Sequence, residues 1–504
     1  MHFSIFSGVF LVNLHVTLAL PIRGDSHRWI NPEITWSKCA DSNATNLHCG
    51  KISVPLDYNR PWSEIIEIGM TRLSSTSPSR RGILVYNPGG PGVVASDYIV
   101  RAAEGESDIF SPRLMEAYDI VGPDPRGVGL SHPVQCDPDI FNQRVSLFPS
   151  TREEYESLIS HNARLGQSCA ELTGSLFNNL DTINVVKDLD LIRQALYPMT
   201  NLKLNLLGRS YGSQIGLQYA ELFPKNIDRF ALDGVVDHTE SATSTVYSES
   251  RTYEATLELF FSWCNTTSDC ALHGRDTAAI VEKMIQSAQK TPIPAPFCEA
   301  TGDYACRSDV TAEELLQNIQ NYLLFQNATS DYTGWDFLSQ ALANASNGDA
   351  STLSTPLATS TTSWQYPGLA IGCQDWLHPA QSLQDLQYLY HLTAVTAPLT
   401  LGVSQSYYYQ TACLGWPAPL TNPQKSLSPN VKNAPPMLLV NAQFDPSTSI
   451  VWATVTQEAV PQSVLLTRVG AGHTSYQLLG EASFAIDRYL MDGILPEKAT
   501  FVYS

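Results

Sequence analysis

The segment Gly208-Arg-Ser210-Tyr-Gly212 fits the pattern G-x-S-x-G. It lies between a short apolar run, Leu204-Asn-Leu-Leu207, and a stretch whose residues Ile215, Leu217, Tyr219, Ala220 and Leu222 suit an amphipathic helix. Strand, tight turn and helix are the setting in which this motif lifts a serine to the tip of a sharp bend. Side chains at positions 208 and 212 would collide with neighbouring backbone, so glycine is needed there. A serine hydroxyl is a weak nucleophile and requires a base. His473 is the candidate, because Val469-Gly-Ala-Gly-His473 follows the apolar run Ser463-Val-Leu-Leu-Thr467. The other histidines lack that setting and default to structural roles. Asp445 follows a similar run, Pro436-Met-Leu-Leu-Val-Asn441. In this scheme His473 takes the proton of Ser210 and returns it to the leaving group. Asp445 holds the other ring nitrogen and stabilises the imidazolium.

Acyl transfer also needs donors for an oxyanion. The Tyr211 backbone N–H follows the nucleophile and supplies one. Asn87-Pro-Gly-Gly-Pro-Gly92, after the strand-like Gly82-Ile-Leu-Val-Tyr86, lacks the Lys-Ser/Thr ending of a phosphate-binding loop. It reads instead as the loop that carries the second donor, assigned to Gly90 with Gly89 as the alternative.

The elements that must position these groups repeat as strand, helix, strand. Further strands are expected at Tyr118–Gly122 and Ile227–Val236, and a helix capped by Asp181-Thr182 is expected to run to Leu196. Such units predict an α/β fold with a mainly parallel sheet and helices on both faces. The order Ser210, Asp445, His473 is that of α/β-hydrolases. Ile65–Leu73 alternates as an edge strand would. Residues 21–60 read as an N-terminal extension, and Asp124 is expected to pair with Arg126. Helical patterns dominate residues 238–428, notably at Tyr253–Trp263, Asp276–Ala288, Ala312–Phe325 and Trp335–Ala343. This region reads as a helical cap inserted between a first core segment, 21–237, and a second, 429–504. Ser351–Ser363 is expected to be a solvated loop, and Ala482–Met491 a closing helix.

A chain of 504 residues implies a large domain with an insertion, or two domains. A formal charge of −19 argues against nucleic acid and anionic membrane surfaces as partners. Residues 1–20 resemble a secretory signal peptide; Asn13 and His15 interrupt the run and weaken an uncleaved anchor. Ten cysteines with such a leader read as disulfides, for which consecutive pairing is the simplest guess. Sequons at Asn43, Asn265, Asn327 and Asn344 fit glycosylation on a eukaryotic secretory route. No C-x-x-C or H-E-x-x-H is present, so neither a metal nor a cofactor is expected, and oligomeric state stays open.

The set Asn87–Gly92, Tyr118-Asp-Ile-Val-Gly-Pro-Asp-Pro-Arg-Gly-Val-Gly129, Gly208–Ser213, Leu232-Asp-Gly-Val-Val-Asp237, Asp445-Pro446 and Gly470-Ala-Gly-His473 resembles secreted tripeptidyl-aminopeptidase-like hydrolases, relatives of the proline iminopeptidases. The resemblance covers both halves of the sheet domain and only loosely the cap. It implies release of residues or short peptides from a free N-terminus, with cap carboxylates receiving the α-ammonium group. Glu254 and Glu258, four apart on a helix, are the candidates, and Asp375 beside Trp376 is a weaker one. The chain departs from the family at Gly92-Val-Val-Ala-Ser96, at Pro123, at Asp445-Pro-Ser-Thr-Ser449 and at Arg209, for which the sequence names no partner. The alternatives are an esterase, lactonase or amidase acting on a small metabolite, and a binding protein on the same scaffold.

Overall fold

The computed structural model describes residues 32–40, 42–62, 64–197, 202–298 and 305–503. The expected signal peptide, residues 1–20, lies outside the described residues. The sheet has ten strands: β1 Ile34–Lys38, β2 Leu47–Pro55, β3 Ile65–Leu73, β4 Gly82–Asn87, β5 Tyr118–Pro123, β6 Leu204–Arg209, β7 Ile227–Asp233, and, after a small pair β8 Ile293–Pro294 and β9 Asp309–Val310, β10 Leu438–Phe444, β11 Val464–Ala471 and β12 Thr500–Tyr503. Their order is β1-β2-β3-β5-β4-β6-β7-β10-β11-β12. From β5 to β12 all neighbours are parallel, while β1, β2 and β3 join antiparallel.

Strand side chains alternate between two separate cores. Leu84, Tyr86, Leu207, Leu438 and Val440 face one core, closed by the helices Ala95–Ala103 and Glu481–Asp492. Val85, Leu206, Leu232 and Leu439 face the other, with the helices Thr182–Leu196 and Tyr211–Leu222. Burial on both faces explains why these strands read as nearly continuous apolar runs.

Three expectations need correction here. β3 is internal, because residues 34–55 are no loose extension: they form β1 and β2, and Ile52 and Val54 bury beside Ile68 and Met70. Asp124 and Arg126 do not pair. Asp124 accepts from the Ser96 N–H at 2.9 Å, the Ser96 hydroxyl at 2.8 Å and the Leu130 N–H at 2.9 Å. Arg126 instead reaches Asp188 with two contacts of 2.7 Å and satisfies the carbonyls of Pro55 and Leu56. Lastly, Ser351–Ser363 is only partly solvated, since Leu353 and Ala358 are buried and Pro356 bridges to Cys306.

Between β7 and β10 the chain leaves the sheet and packs the helices Ala242–Thr266, Thr277–Ala288, Ala312–Tyr322 and Trp335–Ser346 around a core of their own, with Phe260, Leu315 and Trp335 buried in it. Side chains of Ser241, Asp276 and Thr311 cap three of these helices. Five disulfides join consecutive cysteines: Cys39–Cys49, Cys136–Cys169, Cys264–Cys270, Cys298–Cys306 and Cys373–Cys413. Asn43, Asn265 and Asn327 are exposed, whereas Asn344 is half-buried and its side chain accepts from Gln340.

Candidate active site

Ser210 stands between β6 and the helix Tyr211–Leu222 with φ at +52°, a conformation that non-glycine residues adopt only under strain. The surroundings hold it there. Its N–H donates to the Asp233 carbonyl at 2.8 Å, and the Ser213 hydroxyl donates to its carbonyl at 2.6 Å. The flanking glycines are needed for close approach: a Cβ on Gly208 would lie 2.4 Å from the Gly212 carbonyl oxygen, and one on Gly212 would lie 2.7 Å from that of Asn87.

The Asn87–Gly92 loop rests on this bend, since a Cβ on Gly89 would sit 2.8 Å from Ser210 Cβ. The Gly89 N–H is already engaged by Asn87 Oδ1 at 3.1 Å. Gly90 is therefore the better donor of that loop. Tyr211 opens its helix, so its N–H lies outside the intrahelical ladder.

Asp445 and His473 follow β10 and β11, neighbouring strands whose ends place the two loops side by side. His473 Nδ1 lies 2.9 Å from both Asp445 oxygens. The carboxylate also accepts from the Ser447 N–H at 2.9 Å, the Thr448 N–H at 2.8 Å and the Thr448 hydroxyl at 2.7 Å. Burial alone would push the Asp445 carboxyl up; the His473 ring and the Thr448 hydrogen bonds outweigh it and hold the group below its ordinary range. With Nδ1 turned to the carboxylate, the neutral ring carries its proton there and keeps Nε2 as the acceptor.

Ser210 and His473 line one inner chamber of about 270 Å³. It shares Gly90, Val93, Tyr332 and Tyr408 with a wider outer chamber of about 970 Å³. The cap carboxylates expected to meet substrate line neither. Glu254 is buried and accepts from the Leu399 and Thr400 N–H groups, each at 2.9 Å. Glu258, one turn on, faces solvent. Asp375 is buried beneath the bend, where it takes the Thr182 hydroxyl at 2.5 Å and Asn422 Nδ2 at 2.8 Å. Glu254 and Asp375 thus turn toward backbone or side-chain donors rather than toward a cavity. The acids that do line the outer chamber are Asp97, Glu313, Glu314 and Asp331. Sequence reasoning missed them because Glu313 and Glu314 sit in the first turn of a capped helix, where acids are ordinary.

Several buried carboxyls carry a pH signature. Burial pushes Asp375 and Glu249 up to about 7 and Asp124 up to about 6. Unfolded carboxyls titrate near about 4, so between about pH 4 and these values the folded chain holds more protons and stability falls as pH rises. Burial also lowers His238 to about 4 and shifts His378 the same way, which acts in the opposite sense up to about pH 6.5, but the three carboxyls outnumber these two rings. The melting temperature is therefore expected to be a few degrees higher near about pH 5 than at about pH 7.5. A higher value at the neutral end would show that these carboxyls ionise in the folded state at ordinary pH.

Comparison with known proteins agrees with this fold. The α/β hydrolase fold family matches residues 82–283, and the TAP-like protein family matches residues 397–501. The serine protease Hip1 of Mycobacterium tuberculosis is 34% identical over 259 residues, covering 49% of this chain and 48% of that protein. The tripeptidyl aminopeptidase of Streptomyces lividans is 33% identical over 273 residues, covering 52% and 50%. The chain thus spans about half the length of these relatives. Carboxylesterase B of Mycobacterium tuberculosis is 26% identical over 499 residues, covering 93% and 89%. With its mainly parallel sheet and the strand–turn–helix around Ser210, the chain has the α/β-hydrolase fold, and its residues 397–501 are similar to the TAP-like protein family.

Proposed function

We propose that this protein is a serine hydrolase that forms an acyl-enzyme on Ser210 and acts as an exo-aminopeptidase, releasing residues or short peptides from free N-termini. The observation that carries the reading is the buried Asp445–His473 pair on the same chamber as Ser210. His473 Nε2 removes the hydroxyl proton as Ser210 Oγ attacks the carbonyl carbon. Gly90 and Tyr211 N–H groups receive the oxyanion. The imidazolium, held by Asp445, then protonates the leaving amine, and water repeats the sequence to free the acid.

The aminopeptidase assignment draws on the names of the TAP-like relatives and on the two chambers. Gln317, Gln320 and Tyr408 of the inserted helices line the chamber beside Ser210, and a covered site admits a chain end more readily than a folded segment. Asp97 gives the outer chamber a carboxylate that suits an ammonium group. The likeness to a carboxylesterase along nearly the whole chain favours a second reading, hydrolysis of a small ester. Peptide arylamides with a free amine, their N-blocked forms and simple aryl esters separate the two. The peptidase reading expects the free-amine substrates to be cleaved fastest, and turnover of blocked or ester substrates alone would refute it.

We further propose that the protein is secreted. Five disulfides fit an oxidising compartment, and the apolar segment 1–20 fits a leader. If glycosylated, the exposed Asn43, Asn265 and Asn327 are the sites best placed to carry sugar.

A further inference from the structure

Arg209 immediately precedes the nucleophile, and it is only 3% exposed on the wall of the inner chamber. A guanidinium has five N–H donors. Nη1 gives one to the Tyr86 hydroxyl and Nη2 gives one to Thr474 Oγ1, both at 3.0 Å, while Nε is buried without a partner. Both acceptors are neutral. Among the described residues no carboxylate lies within ion-pair distance of Arg209. The nearby Asp233 turns one oxygen to the Ser475 and Tyr476 N–H groups and acts on Arg209 only through space. Other buried arginines are better served: Arg126 is paired with Asp188, and Arg468 gives its donors to Ser475 and to three carbonyls.

The inner chamber sharpens the contrast. Among the described residues its lining includes Gln317, Gln320, Asn321, Gln405 and Ser447, but no Asp, Glu or Lys, and Arg209 is the one permanently charged side chain there. The acids are confined to the outer chamber, where Arg101 pairs with Asp331 and Arg144 with Glu314. A desolvated cation that touches only neutral hydroxyls, with Asp233 acting on it only at a distance, gains from an anion in contact, and a guanidinium fork matches a carboxylate best.

We infer that Arg209 is a specificity-determining residue that selects substrates bearing a carboxylate beside the bond to be cleaved. That carboxylate is either an acidic side chain flanking the bond or the nearby free C-terminus of a short peptide. The inference rests on Ser210 being the nucleophile. The same arginine also links the nucleophile's strand to Thr474, the residue after His473, so a bound carboxylate and the triad share one support.

The test compares matched substrates of whichever acyl linkage the protein cleaves: Glu against Gln beside the bond, and C-terminal acid against amide. The wild type is expected to favour one or both carboxylate forms by at least about tenfold in kcat/KM, about 1.4 kcal/mol, and Arg209→Gln to reduce that preference to within about twofold. The pair that responds identifies the source of the carboxylate. A fluorophosphonate label read at Ser210 reports the nucleophile separately. Absence of label on the wild type would sink the functional reading and this inference with it. Labelling without a carboxylate preference, or a preference that survives in Arg209→Gln, would overturn the Arg209 assignment alone. If the variant shows no cooperative melting, the wild type decides: peptide acids should protect Ser210 from the label better than their amides, and equal protection would overturn the assignment.

Discussion

Ser210→Ala is expected to lower kcat by about 10⁶-fold while the fold survives. The size follows from the mechanism, since without Oγ no acyl-enzyme forms and only the oxyanion donors and substrate binding remain to act on water. The fold survives because the structural work of position 210 is done by its backbone. Its N–H holds Asp233 and its carbonyl receives Ser213, and neither contact needs the hydroxyl. Alanine also meets the same φ of +52° with no larger side chain than serine. Turnover of an activated arylamide or ester, measured beside the melting temperature, checks both halves. Retention of more than about 1% of kcat would remove Ser210 from the mechanism.

Asp445→Asn is expected to lower kcat by about 10⁴-fold. Carboxamide and carboxylate have nearly the same shape, so the change is one of hydrogen-bond polarity. The present carboxylate accepts from His473 Nδ1, from the N–H groups of Ser447, Thr448 and Thr474 and from the Thr448 hydroxyl. An amide has one accepting oxygen, and Ser447 and Thr448 claim it. Its NH₂ then faces His473 Nδ1, which reverses the tautomer and puts a proton on the nitrogen that should receive one. The imidazolium formed during attack also loses its counter-charge. The check is kcat together with fluorophosphonate labelling, which should slow in parallel. A fall of less than about tenfold would mean that another group orients His473.

Local signals carried well from sequence to structure. Gly208 and Gly212 announced a bend that only glycine tolerates, and the apolar runs before Asp445 and His473 marked strands that end at the same edge. Asp181 and Asp276 marked helix starts because their side chains cap nearby N–H groups. What the sequence concealed depends on partners far along the chain. Arg126 beside Asp124 reads as a local pair, yet its partner Asp188 is brought close only when the helix Thr182–Leu196 packs on the sheet. Glu254 and Glu258 look equivalent at helical spacing, and the loop at Leu399-Thr400 alone separates them by burying one. β1 is only five residues long, and β2, though it has nine, intersperses His48, Lys51 and Ser53 among its apolar residues, so neither betrays that it extends the sheet.

The four inserted helices from Ala242–Thr266 to Trp335–Ser346 share a hydrophobic core distinct from the two that flank the sheet, and they meet the catalytic loops at Phe444 and Ala471, just before Asp445 and His473. Such a layout separates two heritable properties. Substitutions inside the insert can remodel the mouth of the chambers while the bend at Ser210, built from β6 and β7, keeps its dimensions. Divergence within this lineage would then run mainly through the insert, changing what is admitted long before it changes what is done to it.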